Sequence, residues 1–246
     1  MKKIKNFSIL ALIGMTLLTL SGCNKEKDVS ISDSNKEKNV YFSDSNDSRV
    51  WLMVYADKEQ PYPIAKENTI NVVFQTKNGK CRTFKTEGNG FTLEKIANMK
   101  DSEIISKAEE LDEKNFNKDK KRVLEDFDNN AKYYIKNTEE LESTRKKLDG
   151  ITYQTPSWED ISITLKKDNN KETLEEEIPI LNKVFDENEG IYKTVNGVLR
   201  LSVPVATTEV LGQYYTGYAT ENEKTLLITR VGKDYQKMAL DKKEVN

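Results

Sequence analysis

The chain of 246 residues contains no histidine, two cysteines, five prolines and two tryptophans. Each scarcity closes a class of chemistry. Without histidine there is no Ser-His-Asp or Cys-His catalysis, no HExxH zinc site and no imidazole acid or base near neutral pH. With Cys23 and Cys81 alone, a thiolate zinc cluster lacks its ligands. Arginine is also sparse, at six of 39 basic residues, and these are nearly balanced by 41 acidic ones. No basic field is left to bind nucleic acid. The longest apolar run, Phe7 to Leu20, covers 14 residues, short of the roughly 20 that a membrane-crossing helix requires.

That short run is itself informative, because Lys2, Lys3 and Lys5 precede it and Leu20-Ser21-Gly22-Cys23 closes it. A charged start followed by a 14-residue apolar segment reads as an export signal. The closing tetrapeptide resembles the lipobox of bacterial lipoproteins at every position. This resemblance implies cleavage between Gly22 and Cys23, and thioether diacylation (the diacylglyceryl anchor, with a palmitate-type chain) on Cys23. Small residues at Ser21 and Gly22 let a protease reach the backbone, and the thiol is the side chain nucleophilic enough to take the lipid. Two acyl chains on one residue suffice for stable anchoring. The expected location is the extracytoplasmic face of the cell membrane, and the expected first partner is the membrane. Removal of residues 1–22 leaves 36 basic against 41 acidic residues. With Cys23 lipidated, Cys81 has no disulfide partner within the chain.

Behind Cys23 comes a tandem duplication. Asn24–Ser34 and Asn35–Ser45 agree at eight of eleven positions. Ser, Asp, Asn, Lys and Glu dominate both copies, and apolar residues are too sparse to offset the entropy of ordering. An eleven-residue period also suits a right-handed helical supercoil, but that needs sustained apolar positions which these copies lack. Residues 23–47 are therefore expected to be a flexible tether, about 27 Å in mean span and at most about 80 Å. The copies differ usefully: Ser30 and Ile31 of the first become Tyr41 and Phe42 in the second. The aromatics are expected to dock near the first strand.

From Arg49 the texture is that of a fold. "RVWLMVY" reads as a buried strand, and "INVVFQTKNGKCRTF" as a hairpin turning at Asn78-Gly79. A two-residue turn there pairs Lys77 with Lys80, Thr76 with Cys81, Phe74 with Thr83 and Val73 with Phe84. Ile70, Val72, Phe74 and Cys81 then share one face, which makes Cys81 a buried small hydrophobe. Residues 48–118 are expected to hold this hairpin followed by helix, with Thr92 or Asp101 as a cap and Ile104, Ala108 and Leu111 on one stripe.

Leu124, Phe127, Ala131, Tyr134, Thr138, Leu141, Arg145 and Leu148 recur at spacings of three and four, predicting a long helix over 119–150 that packs on the adjacent sheet. Asn137 with Glu140 offers a fresh helix start within it. Residues 151–246 read as mostly antiparallel strands, with Asn196-Gly197 as a second hairpin turn. The fold class is α+β, with an N-terminal antiparallel hairpin sheet, helices, and an antiparallel β C-terminal half.

Few constellations offer chemistry. Ser143-Thr144-Arg145-Lys146 has the SxxK spacing of penicillin-recognising enzymes, but the companion SDN and KTG motifs are missing, which favours a solvated helix face. Asp126, Asp128 and Asn130 start like a calcium loop, yet Ala131 stands where glycine is needed and Asn137 where a bidentate Glu belongs. Trp158, Glu159 and Asp160 have the make-up of a glycosidase pair beside a sugar-stacking ring, in a chain that is 33% charged and so produces such triplets easily. No catalytic residue, metal site or cofactor is expected. Tyr214, Tyr215 and Tyr218 in "GQYYTGYAT" are the candidate recognition surface, set against the plainer reading of aromatic packing within a sheet.

Taken with "SRVWLMVY", "TKNGKCRTF", "DSEIISKAEELDEKNF" and "YYTGYATENEKTLLITRV", the pattern resembles uncharacterised cell-surface lipoproteins of low-GC Gram-positive bacteria. Such families imply a binding or accessory role towards an extracytoplasmic protein or ligand. Two alternatives stand beside it. One is a surface hydrolase using carboxylates or the Ser143/Lys146 pair. The other takes "TLLTLSG", which resembles the apolar pheromones cut from lipoprotein signals in enterococci, as the active product.

Overall fold

The computed structural model describes residues 39–43, 48–55, 64–161, 164–168, 171–186, 190–220, 225–235 and 237–239. The signal segment, Cys23 and the first repeat copy lie outside the described residues. In chain order the elements are β1 (Asn39–Val40), β2 (Arg49–Tyr55), β3 (Ile70–Lys77), β4 (Lys80–Lys85), α1 (Leu93–Ile96), α2 (Asp101–Tyr134) and α3 (Thr138–Gly150). There follow β5 (Glu159–Asp160), β6 (Thr164–Asp168), β7 (Lys171–Asp186), β8 (Ile191–Val210), β9 (Gln213–Thr220), β10 (Thr225–Val231) and β11 (Lys237–Met238). The fold is α+β, as the sequence pattern predicts.

Nine strands form one antiparallel sheet in the order β5-β4-β3-β2-β10-β9-β8-β7-β6, so strands from both halves of the chain lie side by side. The hairpin at Asn78-Gly79 forms in the expected register, with both turn residues at positive φ, 51° and 69°. One face assignment changes. Met53 pairs Val72 and Val54 pairs Ile70, so Asn71 is an extra residue in a β-bulge. A bulge inverts the alternation beyond it. Ile70 therefore joins Val73 and Phe84 on the helix-bearing face, while Phe74 and Cys81 lie on the other.

The second expected hairpin does not form. Asn196 and Gly197 run through the middle of β8, opposite Leu181 and Ile180 of β7. The chain reverses instead between Asp186 and Ile191, with Gly190 at φ 65°. A turn at 196–197 would set Tyr192 opposite Leu201, whereas the turn used sets it opposite Phe185; their rings pair at 4.5 Å and reach Phe116 of α2 at 5.4 and 5.2 Å. Burial of three aromatic rings outweighs the local turn preference of two residues.

The single helix predicted over 119–150 is two. Ile135 is extended, and the Asn137 side chain accepts hydrogen bonds from the amides of Glu139 and Glu140, so the alternative start at Asn137 is the one used. Helix α3 folds back on α2. The three-and-four stripe then closes on itself, with Val123, Phe127 and Ala131 packed against Leu148, and with Arg145 bonded to Asp128 at 2.7 Å. From the sheet, Phe185 of β7 adds to this cluster, so the expected packing of the stripe on the sheet is present at that one point and most of the stripe is covered by α3.

Thr92 caps α1 as expected, whereas the cap of α2 is Lys100 rather than Asp101, which is the first helical residue; the Glu103 carboxylate accepts from the Lys100 amide at 2.6 Å. Both helices pack on one face of the sheet through Leu93, Ile96, Ile104, Ile105, Ala108 and Leu111. Arg230 of β10 locks their junction from below. Its buried guanidinium donates to the carbonyls of Ile96 and Met99, at 2.5 and 2.6 Å, and to the Tyr215 hydroxyl at 3.2 Å. These carbonyls sit where α1 ends and α2 has not begun, outside the regular bonding of either helix.

On the opposite face Phe74 and Cys81 share a core with Ile178, Leu199 and Leu201. Those residues come from strands far apart in the sheet order, so the sheet curls and encloses this core. The curl has a visible cause in β8, which pairs β7 with its first half and β9 with its second, and carries register shifts between Leu201 and Pro204 and between Val205 and Thr208. Bulges and a proline bend a strand without requiring its missing donor.

The second repeat copy is part of this core. Phe42 is fully buried, 5.2 Å from the Trp51 ring of β2 and 6.3 Å from Phe74. Val40 is buried with it, and β1 pairs parallel with β11. The aromatic docking expected of this copy is what the structure has, and residues 39–43 belong to the fold rather than to the tether. Among the described residues no helix is long and apolar enough to cross a membrane.

Candidate ligand groove

A curled sheet that does not close leaves a seam between its ends. Here β4 and β5 face the tip of the β7–β8 ribbon, and α2 bridges beneath through Asp112 and Phe116. Across the top runs an extended strap, residues 151–158. It is held to α2 by Tyr153 Oη donating to Asp112 Oδ2 at 2.8 Å, by Thr155 Oγ1 donating to Glu109 at 2.6 Å, and by Lys120 Nζ donating to the Ile151 carbonyl at 2.8 Å.

The seam holds a groove of about 460 Å³, within the range of small-ligand sites. Val72, Cys81, Thr83 and Lys85 form one wall, Lys183, Val184, Tyr192 and Val195 the other, and Asp112 and Tyr153 lie between. The sequence explains the mixed character. Val184 and Val195 are 41% and 43% exposed, as apolar residues near the end of a ribbon and covered by no other described element.

Asp112 organises the floor. One carboxylate oxygen accepts from Tyr153 and the other from the Lys85 amide at 2.8 Å, which joins α2, the end of β4 and the strap. Burial pushes its pKa up, against the opposing pull of the Lys85 amide, Tyr153 and the lysines Lys183 and Lys85. The same burial and the nearby Asp112 push Tyr153 up, and Tyr192 rises to about 12. Cys81, desolvated, rises to about 12. It is a protonated thiol at neutral pH, inert as a nucleophile and consistent with its reading as a small hydrophobe.

The raised pKa of Asp112 has a consequence for stability. The folded state holds the proton more tightly than the unfolded chain, so this contribution is complete below the ordinary carboxylate pKa and is lost as pH rises through the raised one. Asp112→Asn keeps an oxygen for the Lys85 amide. It should leave stability at pH 7 within about 1 kcal/mol of wild type, and should lose less stability than wild type as pH is raised from about 3 to 7. Urea unfolding at both pH values checks this.

The structure disperses the residues singled out in the sequence. Tyr215 and Tyr218 are 1% and 0% exposed and Tyr214 is half-buried, so the candidate recognition surface is a piece of core. Tyr215 packs on the helix-bearing face and Tyr218 stacks on Trp51 at 5.9 Å, because neighbouring aromatics in a strand divide between its two faces. Ser143 and Lys146 are exposed on α3, and Asp126, Asp128 and Asn130 lie on helix α2 rather than in a loop.

Glu159 and Asp160 do line the groove, but as successive residues of β5 they point to opposite sides; Glu159 accepts from Ser157, and Asp160 pairs with Lys80 at 3.0 Å. They cannot flank a glycosidic bond together. Among the described residues no cluster of Cys, Asp or Glu side chains is placed to hold a metal ion.

Thr83, Asp112, Tyr153, Lys183 and Tyr192, which build the groove, carry no motif. The legible trace was the hairpin register, which already placed Thr83 beside Cys81's face. No family model, curated protein or solved structure matches the chain.

Proposed function

We propose that this chain is a lipid-anchored protein of the extracytoplasmic membrane face, tethered through Cys23, that binds a ligand in the seam groove and performs no catalysis. The observation that carries the reading is the groove itself. It combines apolar walls with a few polar groups held in place by the Asp112 contacts, the usual make-up of a small-ligand site. The reactive groups nearby argue for holding rather than reacting. Cys81 and Tyr192 stay protonated at neutral pH, and both oxygens of Asp112 already accept hydrogen bonds.

Two measurements test it. Cys23→Ala should abolish palmitate incorporation and leave the signal segment uncleaved; palmitate incorporated equally by Cys23→Ala contradicts the anchor. For the groove, mature protein is heated with a panel of short peptides, monosaccharides, nucleotides and fatty acids. At 100 times its dissociation constant a ligand adds about 2.7 kcal/mol, or about 5–10 °C for a protein of this size. At least one class should give such a shift in wild type and not in Val195→Trp, which fills the groove from a half-exposed position. Equal shifts in both proteins, or none in wild type, contradict the reading.

A further inference from the structure

The type of ligand follows from the edge of β4. In the two-residue hairpin the closing pair, Lys77 and Lys80, exchanges hydrogen bonds. By alternation Gln75 with Arg82 and Val73 with Phe84 do the same, while the main-chain groups of Cys81, Thr83 and Lys85 point away from β3. Two of these three are occupied. Cys81 lies opposite Glu159 in the two-pair ladder with β5. The Lys85 amide donates to Asp112, and its carbonyl accepts from Asn115 Nδ2 at 2.8 Å.

Between them the ladder stops. A continued register would bring Ser157 opposite Thr83, but β5 begins only at Glu159, and among the described residues Ser157 and Thr83 exchange no main-chain hydrogen bond, although Pro156 and Ser157 line the same groove. The Thr83 rung thus opens into the groove that Thr83 lines. Exposed strand edges are normally blocked. Here both flanking rungs are capped, by a strand on one side and two side chains on the other, and the cavity lies at the rung between.

We propose, on the reading that the groove is the binding site, that it takes an extended peptide, which adds one rung to β4 by pairing its backbone with the amide and carbonyl of Thr83. In such a pair the residue opposite Thr83 projects to the same face, the face of Val72 and Cys81. That position selects an apolar side chain. The charge preference follows from Lys183, which lines the opposite wall and forms no ion pair among the described residues, whereas Lys85 is already paired with Asp119, and the Arg82 guanidinium is held by Gln75 and lies over the Phe84 and Trp158 rings. An acidic residue within two positions of the apolar one meets Lys183. Backbone pairing supplies affinity and the two side chains supply selection, as in other strand-addition complexes.

The test uses a positional-scanning library of N-acetylated, C-amidated hexapeptides on detergent-solubilised mature protein. Selection should yield an apolar residue with an acidic residue within two positions of it. For the best peptide, Thr83→Pro should weaken binding about tenfold or more, the cost of one main-chain hydrogen bond to a ligand. This variant keeps the β3 ladder, because the Thr83 amide points outward, and edge positions of this kind tolerate proline.

N-methylation of the peptide amide facing Thr83 should cost a similar factor, Lys183→Glu should remove the acidic preference, and Thr83→Ala, which keeps the backbone, should bind within about threefold. Peptide that binds Thr83→Pro as it binds wild type overturns the proposal. So does the absence of any selected sequence. If another class of the thermal panel still stabilises wild type but not Val195→Trp, only the peptide assignment falls; if none does, the groove reading falls with it.

Discussion

Gly217→Ala should destabilise the protein by about 3 kcal/mol or more. Gly217 lies in β9, paired with Ile228 of β10 and Val205 of β8. A Cβ at that position would stand 1.9 Å from the Leu227 carbonyl oxygen and 2.7 Å from the Ile228 Cα. Both are backbone atoms, so no rotamer change relieves the clash, and the strands themselves must separate. Two of the sheet's central ladders meet there, and the curl that creates the groove passes through the same place, next to the register shift in β8.

Glycine is what permits so close an approach. For a protein of this size the loss corresponds to about 6–12 °C in Tm, and a variant that still folds should also lose the ligand-induced shift. Thermal unfolding within 2 °C of wild type, or about 0.5 kcal/mol, would mean that the strands do not approach as described.

Phe42→Ala should cost about 3–5 kcal/mol, the usual loss for a buried phenylalanine. Phe42 has no exposed surface and touches Trp51 and Phe74 in the enclosed core, which the Tyr218 ring and the Trp51 Nε1 bond to Thr76 Oγ1 complete. The matching residue of the first repeat copy is Ile31, and Ile31→Ala should change stability by less than about 0.5 kcal/mol. Guanidinium denaturation of the two variants side by side reads the difference. The contrast separates a duplication that merely lengthens a spacer from one whose second copy has been recruited into the fold. A chain started at residue 48 should behave like Phe42→Ala or worse, although composition alone places the start of the fold there.

What was legible in the sequence was short-range. The register of the β3–β4 hairpin followed from Asn78-Gly79, the Asn137 cap from its own side chain, and the docking of Phe42 from the difference between two repeat copies. What was not legible depended on partners distant in sequence. The bulge at Asn71, which moves Ile70 to the other face, is set by its pairing with β2. Asn196-Gly197 has the local chemistry of a turn and is overruled by Phe116, some 80 residues away, because the aromatic tip must reach it.

The helical stripe was visible, but not that its two halves would satisfy each other. The groove shows this dependence most strongly. Thr83, Asp112, Tyr153 and Lys183 come from a strand, a helix, a strap and a ribbon, and only the curl brings them together. Tyr214, Tyr215 and Tyr218 were conspicuous for being adjacent, and adjacency in a strand sends neighbours to opposite faces.

The most direct test of the groove as the ligand site is amide chemical-shift mapping of the mature protein, titrated with whichever compound gives the largest thermal shift. The account predicts that the perturbed amides collect on Thr83, Lys85, Tyr153, Ser157, Lys183 and Tyr192, on both walls of the seam at once. Perturbations centred elsewhere, for instance on the exposed Leu211 turn between β8 and β9, with the seam amides unmoved, would contradict it.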